Sequence, residues 1–296
     1  MLLHFADQAP AARALAAVSG LEPVEVGRHR FPDGEVRIRL PARLPERVVV
    51  YRSLHDPNEK LVELLLTAHN ARALGARHLT LVAPYLAYMR QDMAFTPGEA
   101  VSQRIVGQYL ASLFEAAITV DPHLHRVDSL TEAIPIAQAV ALSAAGALAD
   151  HIVARRERPF LIGPDEESAQ WVALAAARHG LDHAICRKVR RGDRDVSVEL
   201  PPCQLDGRQV VIIDDMGSTG HTLAAAARLA LAAGAASIAA AVTHALFVPG
   251  AMETVRAAGV SELWSADSVG HASNAISLAP LLAAALAGLQ PATGPR

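Results

Sequence analysis

The chain has 296 residues, of which 51% are hydrophobic, with a net charge of −3. That supplies core for two ordinary domains and excludes a nucleic-acid binder driven by bulk positive charge. Its two cysteines, Cys186 and Cys203, make neither a disulfide framework nor a zinc quartet, no polar-free run reaches membrane-span length, and Met1 to Phe5 lacks a signal-peptide pattern, so a soluble cytoplasmic protein with no nucleic-acid or membrane partner is expected.

In chain order, Leu2 to Ala6 predicts a strand and Ala9 to Val18 a short helix closing at Gly20. Val24 to Phe31 and Val36 to Leu40 flank Pro32-Asp33-Gly34-Glu35, a turn signal that predicts a β-hairpin with Asp33 and Glu35 at its tip. Taken alone, this is also the pattern of an ordinary Asp-Gly turn. A strand (Val48 to Arg52), a loop (Ser53 to Asn58), a helix (Glu59 to Leu74) and a strand (His78 to Ala83) follow. Ala83 to Asp92 then leads through Met93 to Glu99 into a helix starting near Val101-Ser102. Tyrosines beside Arg90, Gln91 and Asp92 at a strand end suit a stacked base and a gripped phosphate, although a surface loop with buried tyrosines has the same composition. Asp121-Pro122-His123 again follows a strand, and with no partnering ligand cluster His123 reads as a phosphate or metal-phosphate contact rather than a structural zinc ligand.

A helix over Ile134 to Leu142 and a domain boundary between Leu142 and Ala149 come next. Lysine occurs at 60 and 188 only, and Lys188 stands in the arginine-rich run Ala184 to Asp195, which is a solvated loop on composition alone. Val210 to Ile213, four β-branched residues, predict a buried parallel strand, and His221 to Ala232 a helix behind it. Between them lie Asp214 and Asp215, then Gly217, Ser218, Thr219, Gly220 and Thr222. Adjacent carboxylates for sugar hydroxyls, followed by N–H and hydroxyl groups at a helix N-terminus for phosphate, make a cradle for a sugar phosphate. The unit from 210 to 242 repeats the order and length of that from 48 to 83, which predicts an internal duplication. The expected fold class is α/β, two tandem domains, each a mainly parallel sheet flanked by helices, over 1–145 and 146–289 with a frayed tail at 290–296.

Phe31-Pro32-Asp33-Gly34-Glu35, Tyr88-Met89-Arg90-Gln91-Asp92, Asp121-Pro122-His123 and Val211 to Thr222 stand in the order and approximate spacing of the ribose-phosphate pyrophosphokinases, and the chain resembles that family over nearly its whole length. Phe95 to Ser102, in the form Phe-x-x-Gly-Glu-x-x-Ser, is similar to archaeal-type members. The resemblance implies phosphoribosyltransferase-like domains and transfer of the diphosphoryl group of Mg-ATP to ribose 5-phosphate. It implies that Phe31, Asp33 and Glu35 contact adenine from a neighbouring subunit, and hence a homo-oligomer, dimer or hexamer. By the same resemblance Arg90, Gln91 and His123 hold ATP, with Asp92 supporting them. Asp214 and Asp215 bind ribose, Gly217 to Thr222 the 5-phosphate, and Lys188 and Arg190 match a catalytic Lys-x-Arg loop. Mg²⁺ is the implied cofactor, with His123 and Asp165 near it.

One segment departs from the pattern. Gly163-Pro164-Asp165-Glu166-Glu167-Ser168 stands where the family has Ser-Pro-Asp-x-Gly-Gly, so Asp165 matches while Glu167 and Ser168 replace glycines. The added carboxylate repels bare polyphosphate, recruits Mg²⁺ or caps the following helix. Two rivals therefore stand beside the synthetase: a non-catalytic regulatory homologue, and a phosphoribosyltransferase that consumes phosphoribosyl pyrophosphate.

Overall fold

The computed structural model describes residues 1–124, 129–190 and 196–289, without the side chains of 188–190, 196 and 197. Two compact units emerge, Met1–Leu142 together with the segment from Leu278, and Ser143–Ser277. Strands β1 (Leu2–His4), β2 (Pro23–Glu25), β3 (Gly27–Arg30), β4 (Val36–Arg39), β5 (Arg47–Tyr51), β6 (His78–Val82), β7 (Ala116–Val120) and β8 (Gln138–Leu142) belong to the first unit. Its helices α1 (Ala9–Ser19), α2 (Pro57–Ala73), α3 (Ser102–Leu113) and the single turn α4 (Leu130–Ala133) connect them. The second unit opens with α5 (Ala145–Val153) and holds β9 (Phe160–Gly163), α6 (Ala169–His179), β10 (His183–Ile185), β11 (Arg187–Arg190), β12 (Val196–Glu199), β13 (Gln209–Gly217), α7 (His221–Ala232), β14 (Ser237–Ala245), α8 (Ala251–Ala257), β15 (Val260–Ala266) and β16 (Asn274–Ile276). Helix α9 (Ala279–Gly288) ends the described chain.

The sheets have orders β2-β1-β5-β6-β7-β8 and β10-β9-β13-β14-β15-β16, all parallel, and each unit carries a separate antiparallel ribbon, β3–β4 or β11–β12, after its edge strand. The two orders are the same permutation, which is the structural form of the duplication read from the repeated strand-loop-helix-strand unit. Buried strands such as Val210, Val211, Ile212 and Ile213 are apolar on both faces because helices cover both. No helix among the described residues is long and apolar enough to cross a membrane.

Several elements differ from their expected form. The stretch predicted as a helix over 134–142 is instead strand β8, which pairs with β7 from Ala116↔Gln138 to Val120↔Leu142; sheet pairing overrides the helical preference of its alanines. The strand predicted from Val24 to Phe31 breaks at Val26, whose buried backbone N–H donates to the His4 carbonyl at 2.8 Å before the ribbon leaves the sheet. Helix α5 packs on α6 in the second unit, whereas α9, within the span 146–289 expected for the second domain, packs on α1 in the first. The tail expected from 290 lies outside the described residues.

Candidate active site

In the second unit the chemistry converges on the carboxyl end of the sheet. Strand β13 does not stop at Ile213 as expected but runs through both acids to Gly217, because β14 keeps pairing with it as far as Met216↔His244 and Gly217↔Ala245. The carboxylates are thereby fixed on a strand rather than a loop. Asp215 is buried, and its N–H donates to Asp214 Oδ1 at 3.0 Å. Burial first, then the charges of Asp215 and Asp165, raise the Asp214 carboxyl well above the usual aspartate range. Asp165, on the turn after the neighbouring strand β9, thus faces the pair.

The loop after the acids is shaped by contacts that leave no room for side chains. Gly220 adopts φ +77° as the residue before α7, and a Cβ there would lie 2.7 Å from Val255 Cγ2 and 2.9 Å from the Ala251 carbonyl. At Gly217 a Cβ would lie 2.1 Å from Phe247 Cζ. The loop is also tied to the chain after β14: Leu246 N–H donates to the Gly217 carbonyl at 2.8 Å and Val248 N–H to that of Ser218 at 3.2 Å. No side chain caps α7, so its first N–H groups face the loop with the positive end of the helix behind them. Ser218, Thr219 and Thr222 keep solvent access beside these donors.

Asp165 accepts from the N–H groups of Glu167 (3.2 Å) and Ser168 (3.4 Å), while Ser168 Oγ donates to the Asp165 carbonyl at 2.6 Å. The cap of the following turn is thus the matching Asp165, and the Glu167 that replaces a family glycine enters it only through its backbone N–H. Ser168 also occupies space that Gly163 leaves open, since a Cβ at Gly163 would lie 2.4 Å from Ser168 Oγ. Glu167 is exposed. Lys188 and Arg190 are on the ribbon, opposite Val198 and Val196, and enter from β10, two strand positions from β13; residues 191–195 of the expected basic loop lie outside the described residues.

In the first unit the sequence candidates fall at the same end of the sheet but in two places. The loop after β6 carries Arg90, exposed, Gln91, half-buried, and Asp92, buried. Gln91 is held at the start of α3, where its carbonyl accepts from Gln103 N–H and its side-chain oxygen from Ser102 Oγ, both at 3.2 Å. Half-buried His123 follows the adjacent strand β7. Tyr88 (φ 65°) and Asp121 (φ 38°) take left-handed backbone in these two loops, a strained state for non-glycine residues of the kind that gathers at functional sites. Phe31, Asp33 and Glu35 stand apart, at the exposed tip of the β3–β4 ribbon, which leaves the sheet at β2, three strand positions or about 14 Å from β6.

Residues 1–113 match the family model described as the N-terminal domain of ribose phosphate pyrophosphokinase, and residues 127–254 that of the phosphoribosyl transferase domain. The chain is 36% identical over 280 residues to the ribose-phosphate pyrophosphokinase of Methanopyrus kandleri, covering 94% of this chain and 95% of that one. The chain belongs to the ribose-phosphate pyrophosphokinase family. Another member, from Methanosarcina acetivorans, is 33% identical over 283 residues, 95% of this chain and 96% of its own. The crystal structure of phosphoribosylpyrophosphate synthetase from Mycobacterium smegmatis shares the fold, with a TM-score of 0.80 over 97% of each chain at 21% identity.

Sequence reasoning missed a buried charge cluster beneath the first unit's loops. Arg52, fully buried, pairs with Asp7 and Glu63, and its guanidinium lies 4.2 Å over the Phe5 ring. Lys60, also buried, donates to the His55 carbonyl; burial and then Arg52 lower its ammonium to about 8, and burial with Lys60 lowers His55 to about 4. In the sequence Lys60 and Glu63 are indistinguishable from a solvated helix face, and Arg52 is one charge at the end of a predicted strand, because what buries them is distant in sequence.

Proposed function

We propose that this enzyme of the ribose-phosphate pyrophosphokinase family transfers the β,γ-diphosphoryl group of Mg-ATP to the C1 hydroxyl of ribose 5-phosphate, giving phosphoribosyl pyrophosphate and AMP. The observation that carries the reading is the carboxylate pair at the end of β13 beside the uncapped N-terminus of α7, which meets both ends of a sugar phosphate. Asp214 and Asp215 hold the ribose hydroxyls. The N–H groups and hydroxyls from Gly217 to Thr222 take the 5-phosphate, where the helix end favours an anion. The acceptor hydroxyl is thereby fixed in place, which converts an encounter in water into an oriented one.

The first unit takes the nucleotide: Arg90, Gln91 and His123 grip it, and the ribbon tip with Phe31, Asp33 and Glu35 meets adenine. Tip residues that reach a neighbouring copy accord with a homo-oligomer, dimer or hexamer, in the cytoplasm. Lys188 and Arg190 neutralise the polyphosphate as charge shifts from the β-phosphorus to the departing AMP oxygen. Mg²⁺ fits this donor set. Among the described residues no group of three or more His, Cys, Asp or Glu is gathered for a metal, but Mg²⁺ characteristically takes one or two carboxylates and completes its shell with substrate phosphates and water. In the second unit Asp165 would hold it, the charge crowding around Asp214 would be relieved by it, and when bound it screens the polyphosphate; in the first unit His123 is the candidate for a metal-phosphate contact.

AMP release from ATP, Mg²⁺ and ribose 5-phosphate tests the reading. Release of AMP in step with phosphoribosyl pyrophosphate supports it. Neither product across several divalent metals and phosphate levels leaves a non-catalytic homologue, to which Glu167 would be suited by its repulsion of polyphosphate. Consumption of phosphoribosyl pyrophosphate with a nucleobase indicates a phosphoribosyltransferase.

A further inference from the structure

Glu63 of α2 has a fully buried side chain, yet nothing in the packing of the helix demands a carboxylate there. Both of its oxygens are taken by arginines from other elements. Oε2 accepts from Arg52 at 2.5 Å, and Oε1 from Arg28 of the β3–β4 ribbon at 2.7 Å. Arg52 is itself held by both oxygens of Asp7, at 2.7 and 2.8 Å, so it fixes the orientation of the Glu63 carboxylate and turns one oxygen toward the ribbon. One helical turn earlier, Glu59 pairs with Arg30 of the same ribbon strand at 3.2 Å. The spacings match: residues four apart on a helix are separated by about 6 Å along its axis, and residues two apart on a strand by about 6.7 Å on one face. Two rungs therefore join one face of α2 to one face of β3. A buried ion pair is at best a modest source of stability compared with apolar side chains of similar volume, so geometry is the better account of its presence.

We infer that Glu63 and Glu59 clamp the β3–β4 ribbon onto α2 through Arg28 and Arg30, and that Glu63 is a positioning residue for the nucleotide-contacting tip at Phe31, Asp33 and Glu35. The inference rests on the assignment of that tip to ATP. Without the clamp the ribbon keeps only apolar contacts among the described residues, through buried Val26 and Leu40 at its base and half-buried Ile38 on β4.

The test uses Arg28→Gln with Arg30→Gln, both at partly exposed side chains so that folding is spared, and Glu63→Gln as the buried counterpart. Amide hydrogen exchange across 27–39 should speed up by about tenfold or more, with exchange in β5 and β6 unchanged, as expected for loss of charge-assisted hydrogen bonds. The KM for ATP should rise about tenfold, while kcat and the KM for ribose 5-phosphate stay within about twofold. With Arg28 intact, Arg30→Glu alone should speed ribbon exchange, and adding Glu59→Arg to it should restore slow exchange and the KM for ATP. Ribbon exchange at the wild-type rate overturns the clamp. Faster exchange with an unchanged KM for ATP, or an equal rise in both KM values, overturns the positioning role. Should the wild-type protein release no AMP, the functional reading fails while the exchange measurement still decides the clamp.

Discussion

Alanine at Gly217 should disturb the ribose-phosphate loop without unfolding the second unit. The added Cβ would lie 2.1, 2.5 and 2.8 Å from three atoms of the Phe247 ring, against about 3.5 Å for a comfortable carbon–carbon contact, so one of the two must retreat by roughly 1.4 Å. The backbone cannot yield easily, because Leu246 and Val248 donate to the Gly217 and Ser218 carbonyls on either side of the ring. The ring has His271 tilted against it at 5.4 Å, although Phe247 keeps some solvent exposure into which it can slip. Overpacking of this kind costs about 1–3 kcal/mol, and partial exposure puts this case near 1. A destabilisation of that size lowers Tm by ~2–4 °C in a domain of this size class. Thermal unfolding and the KM for ribose 5-phosphate, expected to rise about fivefold, are the measurements. Phe247→Leu in the alanine background makes room and should recover at least half of both effects, a coupling that separates this contact from an independent loss. Unchanged Tm and KM in the single variant, or strictly additive effects in the double, would refute the packing argument.

Three further outcomes follow from the site. Gly163→Ser alone should destabilise by about 1–3 kcal/mol, since its Cβ would lie 2.4 Å from Ser168 Oγ and 2.7 Å from Ile185 Cδ1, and adding Ser168→Gly should recover the part owed to Ser168 in denaturant titration; no recovery at all in the pair would mean the two positions are not exchanging one space. The Asp214 carboxyl, raised by burial and by Asp215 and Asp165, stabilises fully below its unfolded value of about 4 and loses that contribution as pH rises through its folded value, so Asp214→Asn should gain in Tm on the wild type as pH is raised without metal, and parallel pH profiles would contradict the shift. Lys188→Ala should cut turnover by about a hundredfold or more with Tm within ~1 °C, since a ribbon side chain serving the transition state contributes little to folding; near-normal turnover removes it from the reaction.

The architecture was legible where strands are buried on both faces and punctuated by glycine: Val210 to Ile213 with Gly234-Ala235, and Val48 to Arg52 with Gly75-Ala76, disclosed the duplicated unit. It was illegible where pairing overrides local preference. Asp214, Asp215 and Gly217 are poor strand formers, and only the register with β14 extends β13 through them. Alanine-rich β8 reads as a helix for the same reason. The placement of α9 had no local signal, because a short alanine- and leucine-rich helix fits either unit equally. At the site, side chains that act by touching ligand were named from motif and spacing, whereas those that act by touching other side chains were not. Nothing local marks Glu63 in its helix or Arg52 at its strand end as buried, and the contact between Gly217 and Phe247 joins residues thirty apart in sequence, a separation no local pattern encodes.

The most direct test of diphosphoryl transfer is the fate of the β-phosphorus. With ribose 5-phosphate, Mg²⁺ and ATP labelled at that atom, the label should pass into phosphoribosyl pyrophosphate and the AMP released should carry none. Label retained in ADP would show transfer of a single phosphoryl group, and label left in ATP would show no transfer at all; either result contradicts the account.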